Sequence, residues 1–236
     1  MVVLWAGLVV AAGAVIQGTV GFGLALVAAP LLALLDPQYV PVPLIVVAGV
    51  HAVFQLVREW RDADWRGVGW ALAGRVPGAV LGATVVALLP YRAFASFVAV
   101  AVLLCVAASL VRLHLRPTRP ALLVAGAVSG VSGTAAAIGG PPVAILYQDE
   151  HGATVRATLG AYFGVGTAMS LGVLAAGGQV DVSHLLQGAV LVPFAAAGLL
   201  LSNPLRRILD RGWTRPAVLG LAAAGAVTLL VQAQFT

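Results

Sequence analysis

Residues 121–148 run for 28 positions without a charged side chain. As one helix they would extend about 42 Å at 1.5 Å per residue, well beyond the roughly 30 Å hydrocarbon core of a bilayer. In their second half they read "GVSGTAAAIGGPP", residues 130–142. Glycine and adjacent prolines oppose a continuous helix. Unpaired backbone at membrane depth is costly unless protein or a wet cavity covers it. Residues 2–35 pose the same problem: 34 residues, about 51 Å on the same arithmetic, interrupted by "QGTVGFG" at 17–23.

The bilayer assignment rests on composition. Apolar residues make up 61% of the 236, charged residues 9%, and mean hydropathy is +1.04. Soluble domains are nearer 45–50% apolar and about 25% charged. Six further apolar runs fit single spans of about 20 residues: 40–57, 68–89, 93–113, 155–175, 184–202 and 215–231. The N-terminal run has no basic residue ahead of it, the wrong flank for a cleaved signal peptide. The fold class expected is an all-α polytopic membrane protein.

Arginine placement decides the topology. There are thirteen basic residues, all arginine. Arg58, Arg61, Arg66, Arg112, Arg116, Arg119, Arg156, Arg206, Arg207, Arg211 and Arg215 lie in loops that share one side only if 121–148 enters and leaves on that side. Arg92 alone then faces the other side, and Arg75 lies within a span. A single crossing would split the loop arginines evenly. The positive-inside rule selects the hairpin and makes its side cytoplasmic, which implies an inner (plasma) membrane, multi-pass protein.

A weak internal repeat extends the pattern. Gly18, Gly21 and Pro30 recur 112 residues later as Gly130, Gly133 and Pro142, and Pro77 and Gly82 recur 116 later as Pro193 and Gly198. The expected organisation is a first repeat, 1–113, with hairpin 2–35 and helices 40–57, 68–89 and 93–113. The second, 114–236, has hairpin 121–148 and helices 155–175, 184–202 and 215–231. Three spans per half invert one repeat relative to the other and place both termini outside. Inverted repeats with broken helices meeting near the midplane are the architecture of secondary transporters.

Half-helix N-termini carry N–H groups and about half a positive charge, which suits an anion. Glycine lets the anion approach closely, and hydroxyls add donors. The expected binding set is Gln17, Thr19, Gly21, Gly23, Ser129, Ser132, Gly133, Thr134 and Gly139. Gly7, Gly78 and Gly220 read instead as small-residue helix contacts.

"QGTVGFGLALVAAPLLALLDP" and "GAVSGVSGTAAAIGGPPVAILY", one in each half, resemble the paired signatures of the sulfite exporter TauE/SafE family of membrane transporters. "GRVPGAVLGA" at 74–83 resembles that family's third-helix segment. The resemblance covers nearly the whole chain. It implies transport of a sulfur-bearing anion such as sulfite, thiosulfate or sulfoacetate by alternating access.

Two intramembrane polar residues stand out. Arg75 either charges the anion pathway or extends to the headgroups. His51, with Gln55 one turn on, is a candidate for proton coupling or for a bond to a neighbouring helix. Asp36, Glu150 and His151 read as helix-end groups. The competing classes are an anion channel and an intramembrane serine protease with Ser132, in "GVSG", as nucleophile. The latter needs a histidine base, and the later histidines, His151 and His184, fall at helix ends on opposite faces. No cofactor motif, metal-ligand cluster or nucleic-acid signature is present. The partners expected are a small anion, the lipid bilayer and coupled protons; a homodimer is compatible with the sequence.

The hairpin makes a direct prediction. In a Cys105→Ala background, Thr118→Cys and Gly152→Cys are expected to react with an impermeant thiol reagent from the same, cytoplasmic side. Reaction from opposite sides removes the hairpin.

Overall fold

The computed structural model describes residues 1–20, 23–110, 115–209 and 214–235. These residues are helical nearly throughout: α1 Val2–Val20, α2 Leu24–Leu35, α3 Val42–Glu59, α4 Trp65–Leu88 and α5 Tyr91–Leu110, then α6 Arg119–Ala136, α7 Gly140–Ala144, α8 Gly152–Ala176, α9 Val182–Leu209 and α10 Thr214–Phe235. Among the described residues seven helices are long and apolar enough to cross a membrane. With chemistry of this kind only intrahelical bonding keeps the backbone satisfied in hydrocarbon. The protein is an all-α polytopic membrane protein.

All six expected spans are present, as α3, α4, α5, α8, α9 and α10. The expected break positions need correction. Helix α1 continues through Gln17–Val20, and α6 continues through Gly130–Gly133, so "GVSG" is helical rather than broken. The second break falls at 137–139, where Ala137 takes the left-handed conformation at φ 61°. Ile138 N–H donates to the Ser132 carbonyl at 3.1 Å and the Ser132 hydroxyl to the Ile138 carbonyl at 2.8 Å, closing the turn. Pro141 and Pro142 do not break a helix; they sit in the first turn of α7, where a missing N–H forfeits no bond. In the first hairpin Gly23, at φ 127°, reverses the chain into α2. Each hairpin has a long arm and a short one. Leu24 lies against Gly13, so α2 begins about halfway along α1.

The packing scheme maps onto itself when the first five helices are exchanged with the second five. Helix α6 runs beside α4 as α1 runs beside α9; α8 meets α4 as α3 meets α9; α3 and α8 face each other, as do α5 and α10. The hairpin geometry is visible at the ends. Arg119, opening α6, stacks over Trp70 near the start of α4 at 5.3 Å, and the Tyr147 hydroxyl, closing the second hairpin, donates to Asp64 Oδ2 at 2.8 Å. Asp64 also caps α4 by accepting from Gly67 N–H at 2.9 Å. Beside it Arg156 pairs with Glu59 at 2.7 Å. Both ends of 119–147 thus lie at the arginine-rich end of the molecule. At the other end Arg92 Nε donates to the Ala233 carbonyl at 2.8 Å, joining α5 to α10.

Glycines make the α4–α6 crossing close. Gly74, Gly78 and Gly82 face the backbone of Leu123, Ala127 and Val131, and Gly126 and Gly130 face Ala71 and Arg75 in return. The two helices therefore run parallel at backbone contact, the small-residue packing that membranes favour where no hydrophobic drive exists between helices. Gly7 likewise abuts Phe194, whereas a methyl group on Gly220 would meet nothing within 4 Å, so Gly220 is no contact glycine among the described residues. Gly78→Val is accordingly expected to lower unfolding stability in detergent by at least 1–3 kcal/mol, roughly the cost of overpacking. Gly220→Val should leave it within about 0.5 kcal/mol of the parent. Equal melting temperatures for the two variants would contradict the crossing.

Candidate functional site

The α4–α6 crossing carries Arg75 to the interior. Its side chain is 2% exposed and lies between α6 and α8, so it does not extend to the headgroups. Nε donates to the Gly166 carbonyl at 3.2 Å, Nη1 to Ser129 Oγ at 3.2 Å and Tyr162 Oη at 3.1 Å, and Nη2 to Ser170 Oγ at 3.0 Å. The guanidinium also stands 5.2 Å from the Tyr162 ring centre. Four of its five N–H groups are thus taken, all by neutral acceptors. Among the described residues no carboxylate pairs with it, the only ion pair being Arg156–Glu59. An unpaired buried charge is costly, and an arginine holds its charge under physiological conditions.

Three glycines shape its slot. A methyl group on Gly133 would lie 2.8 Å from Nη2, one on Gly166 2.7 Å from Nε, and one on Gly139 3.2 Å from Nη1. Gly133 and Gly139 therefore admit the guanidinium, a role different from the anion approach expected of them. Both also line the adjoining cavity.

That cavity, about 40 Å³, is central. Its wall takes Gln17, Gly23, Ala25 and Leu26 from the first hairpin, Ile45 and Ala48 from α3 and Arg75 from α4. The second hairpin adds Gly133 and residues 137–141, and α8 adds Phe163 and Thr167. The two hairpins meet there from opposite halves. Of the expected set, Gln17, Gly23, Arg75, Gly133 and Gly139 line it, and Gly21 lies outside the described residues.

The remaining expected ligands stand elsewhere. Thr19 returns its hydroxyl to the Ile16 carbonyl at 2.8 Å, and Ser132 bonds the carbonyls of Val128 and Ile138. Neither lines the cavity; each hydroxyl satisfies local backbone, as serine and threonine do in apolar helices. Those bonds also leave Ser132 committed to carbonyls rather than to a base. Ser129 and Thr134 act one layer behind. Ser129 accepts from Arg75 and Tyr162 and donates to the Gly139 carbonyl at 2.6 Å, and Thr134 Oγ1 lies 2.8 Å from Ser170 Oγ. His51 stands behind Gln17, off the cavity wall, with its Nδ1 3.1 Å from Gln17 Nε2.

The first-turn residues of α2 bring that helix's positive end to the cavity. The short α7 cannot do the same, because Pro141 and Pro142 lack N–H groups. Positive charge on that side comes from Arg75. Sequence reasoning expected the span now seen as α8 but named no site residue on it. Tyr162, Gly166 and Ser170 recur at four-residue steps, which sets them on one helix face. That polar stripe in an otherwise apolar span was a readable signal.

The glycine slot yields an expectation. Gly166 does not itself line the cavity, yet Gly166→Ala displaces the guanidinium, so anion affinity should fall about three- to thirtyfold, the scale of a displaced charge-assisted bond at roughly 0.7–2 kcal/mol. Unaltered affinity in a folded Gly166→Ala protein would separate Arg75 from the cavity.

In comparisons with known proteins, a family described as sulfite exporter TauE/SafE matches residues 5–229. No curated protein and no solved structure matches the chain.

Proposed function

Since the chain belongs to the sulfite exporter TauE/SafE family of membrane transporters, we propose that it is a secondary carrier of a small sulfur-containing oxyanion, bound in the central cavity against Arg75. The carrying observation is the buried guanidinium beside that cavity with one N–H unspent and no carboxylate partner among the described residues. A small anion supplies the missing negative charge. The half-helix end of α2 faces the same space and adds to the attraction.

Cavity size favours one end of the substrate class. A water needs about 10–15 Å³ on this measure, so about 40 Å³ holds some three water-sized groups. Sulfite or thiosulfate is on that scale; sulfoacetate, with a second acidic group, exceeds it. The meeting of two hairpins from opposite halves at this cavity supports alternating access, one half moving against the other around the anion. In this reading the arginine-rich end is cytoplasmic and both termini are outside.

Reconstitution in liposomes with a panel of anions tests the class, with sulfite and thiosulfate moved in preference to sulfoacetate. Arg75 tests the site. One opposite charge at about 4 Å contributes roughly 1–4 kcal/mol between water and protein-surface dielectrics. Arg75→Gln should therefore weaken binding about fivefold to several hundredfold. Arg75→Lys keeps the charge without the planar fork and should retain part of the affinity. Equal dissociation constants for wild type and Arg75→Gln, each shown to be folded, would reject the assignment.

A further inference from the structure

Behind the cavity wall a second polar chain runs back from Gln17. Leu24 N–H, at the start of α2, donates to Gln17 Oε1 at 3.1 Å, and Gln17 Nε2 lies 3.1 Å from His51 Nδ1. Gln17 is 6% exposed and His51 2%. A backbone N–H can only donate, so the Gln17 atom facing Leu24 is its carbonyl oxygen. Its NH₂ group therefore faces His51, and Nδ1 must accept. The neutral ring then carries its proton on Nε2. That nitrogen is buried and has no hydrogen-bond partner; beside the ring is a void lined by Val50, Phe54, Val192 and Leu199.

From these contacts we propose that His51 is the proton-coupling site of the carrier. A proton added at Nδ1 turns an acceptor into a donor and breaks the bond from Gln17. The Gln17 amide loses its partner and must move. Either Nε2 is released, or the amide turns and Leu24 N–H is released. Gln17 lines the cavity, and Leu24 N–H sits in the chain between the lining residues Gly23 and Ala25, where an anion is the available acceptor. Proton and anion therefore favour each other's binding, and the coupling is reciprocal.

The one cation lining the same cavity as Gln17 is Arg75, whose charge a bound anion offsets; among the described residues no carboxylate or cation lines the void beside the ring. The neighbouring face of α9 presents Val192, Ala195, Ala196 and Leu199, and α1 presents Gln17. Helix α8 sets Thr167 against Gly49, its Tyr162 hydroxyl is committed to Ser129, and the α2 residues at this level are apolar. On the ring's own helix the nearest polar group is Gln55, whose amide is buried without a partner. Histidine is the side chain whose ordinary range spans the pH a carrier meets.

The inference rests on the carrier reading for its consequence, but its tautomer does not. With ¹⁵N-histidine protein in which His114, His151 and His184 are replaced, NMR at about pH 8 should show His51 as the Nε2–H tautomer. An Nδ1–H tautomer overturns the proposal. Thiosulfate, whose charge is constant between about pH 5.5 and 8, is then titrated calorimetrically in buffers of different ionisation enthalpy. Wild type should take up a proton with the anion and bind it more tightly as pH falls, by up to about tenfold per unit. His51→Asn keeps an acceptor for Gln17 but cannot titrate; it should bind at the higher pH without proton uptake and with a flat profile. Proton uptake preserved in His51→Asn, or a flat wild-type profile, overturns the coupling. Absence of thiosulfate binding to wild type at every pH counts against the carrier reading instead, and the tautomer still decides the histidine.

Discussion

A guanidinium buried among neutral acceptors organises this protein. Arg75 gains four hydrogen bonds and an aromatic face, yet among the described residues its charge meets no opposite charge. Such a group is tolerated only where geometry is tightly specified. Each feature around it serves that specification. The glycines of α4 and α6 bring the two backbones into contact, so that the side chain points across into α8 rather than along the membrane. Gly133, Gly139 and Gly166 leave room for the planar head. Ser129, Tyr162 and Ser170 accept from it. In the proposed function, charge left uncompensated by the protein becomes attraction for an anion.

The two halves repeat one device and then diverge. In the first, Gln17 on the long hairpin arm bonds its own turn through Leu24 and the facing helix through His51. In the second, Ser129, 112 positions on, bonds its own turn through Gly139 and the facing helix through Tyr162. Each hairpin is thus tied to the span opposite it by a buried polar pair. Divergence lies in what the pair can do. The Ser129–Tyr162 pair supports a fixed charge on Arg75, whose counterpart in the other half is Leu191. The Gln17–His51 pair includes a titratable ring. Pseudo-symmetry supplies two equivalent tethers; one holds a charged side chain, and the other holds the ring proposed to couple protons.

Much of this was legible in the sequence. Exclusion of charge from long runs dictated helices and bilayer, because hydrocarbon offers the backbone no other partner. The arginines dictated that 121–148 is a hairpin, since loop charge resists translocation. Paired glycine clusters marked where the halves meet, and Arg75 declared itself by the cost of a charge in a span. Those features are local, and each is tied to the sign or size of individual side chains.

Tertiary structure decided the rest. Whether "GVSG" is a break or a helix depended on α4, whose glycines accept it at backbone contact; without that partner its glycines disfavour a helix. Whether Ser132 and Thr19 face an anion or their own backbone depended on rotation about the helix axis, which residue type does not encode. Tyr162 and Ser170 reach Arg75 only because α8 lies across from α4, 87 and 95 residues away in the chain. Composition and periodicity determine what an element is and on which side it lies. Which faces meet is settled by long-range packing, because complementarity between two surfaces is a property of the pair.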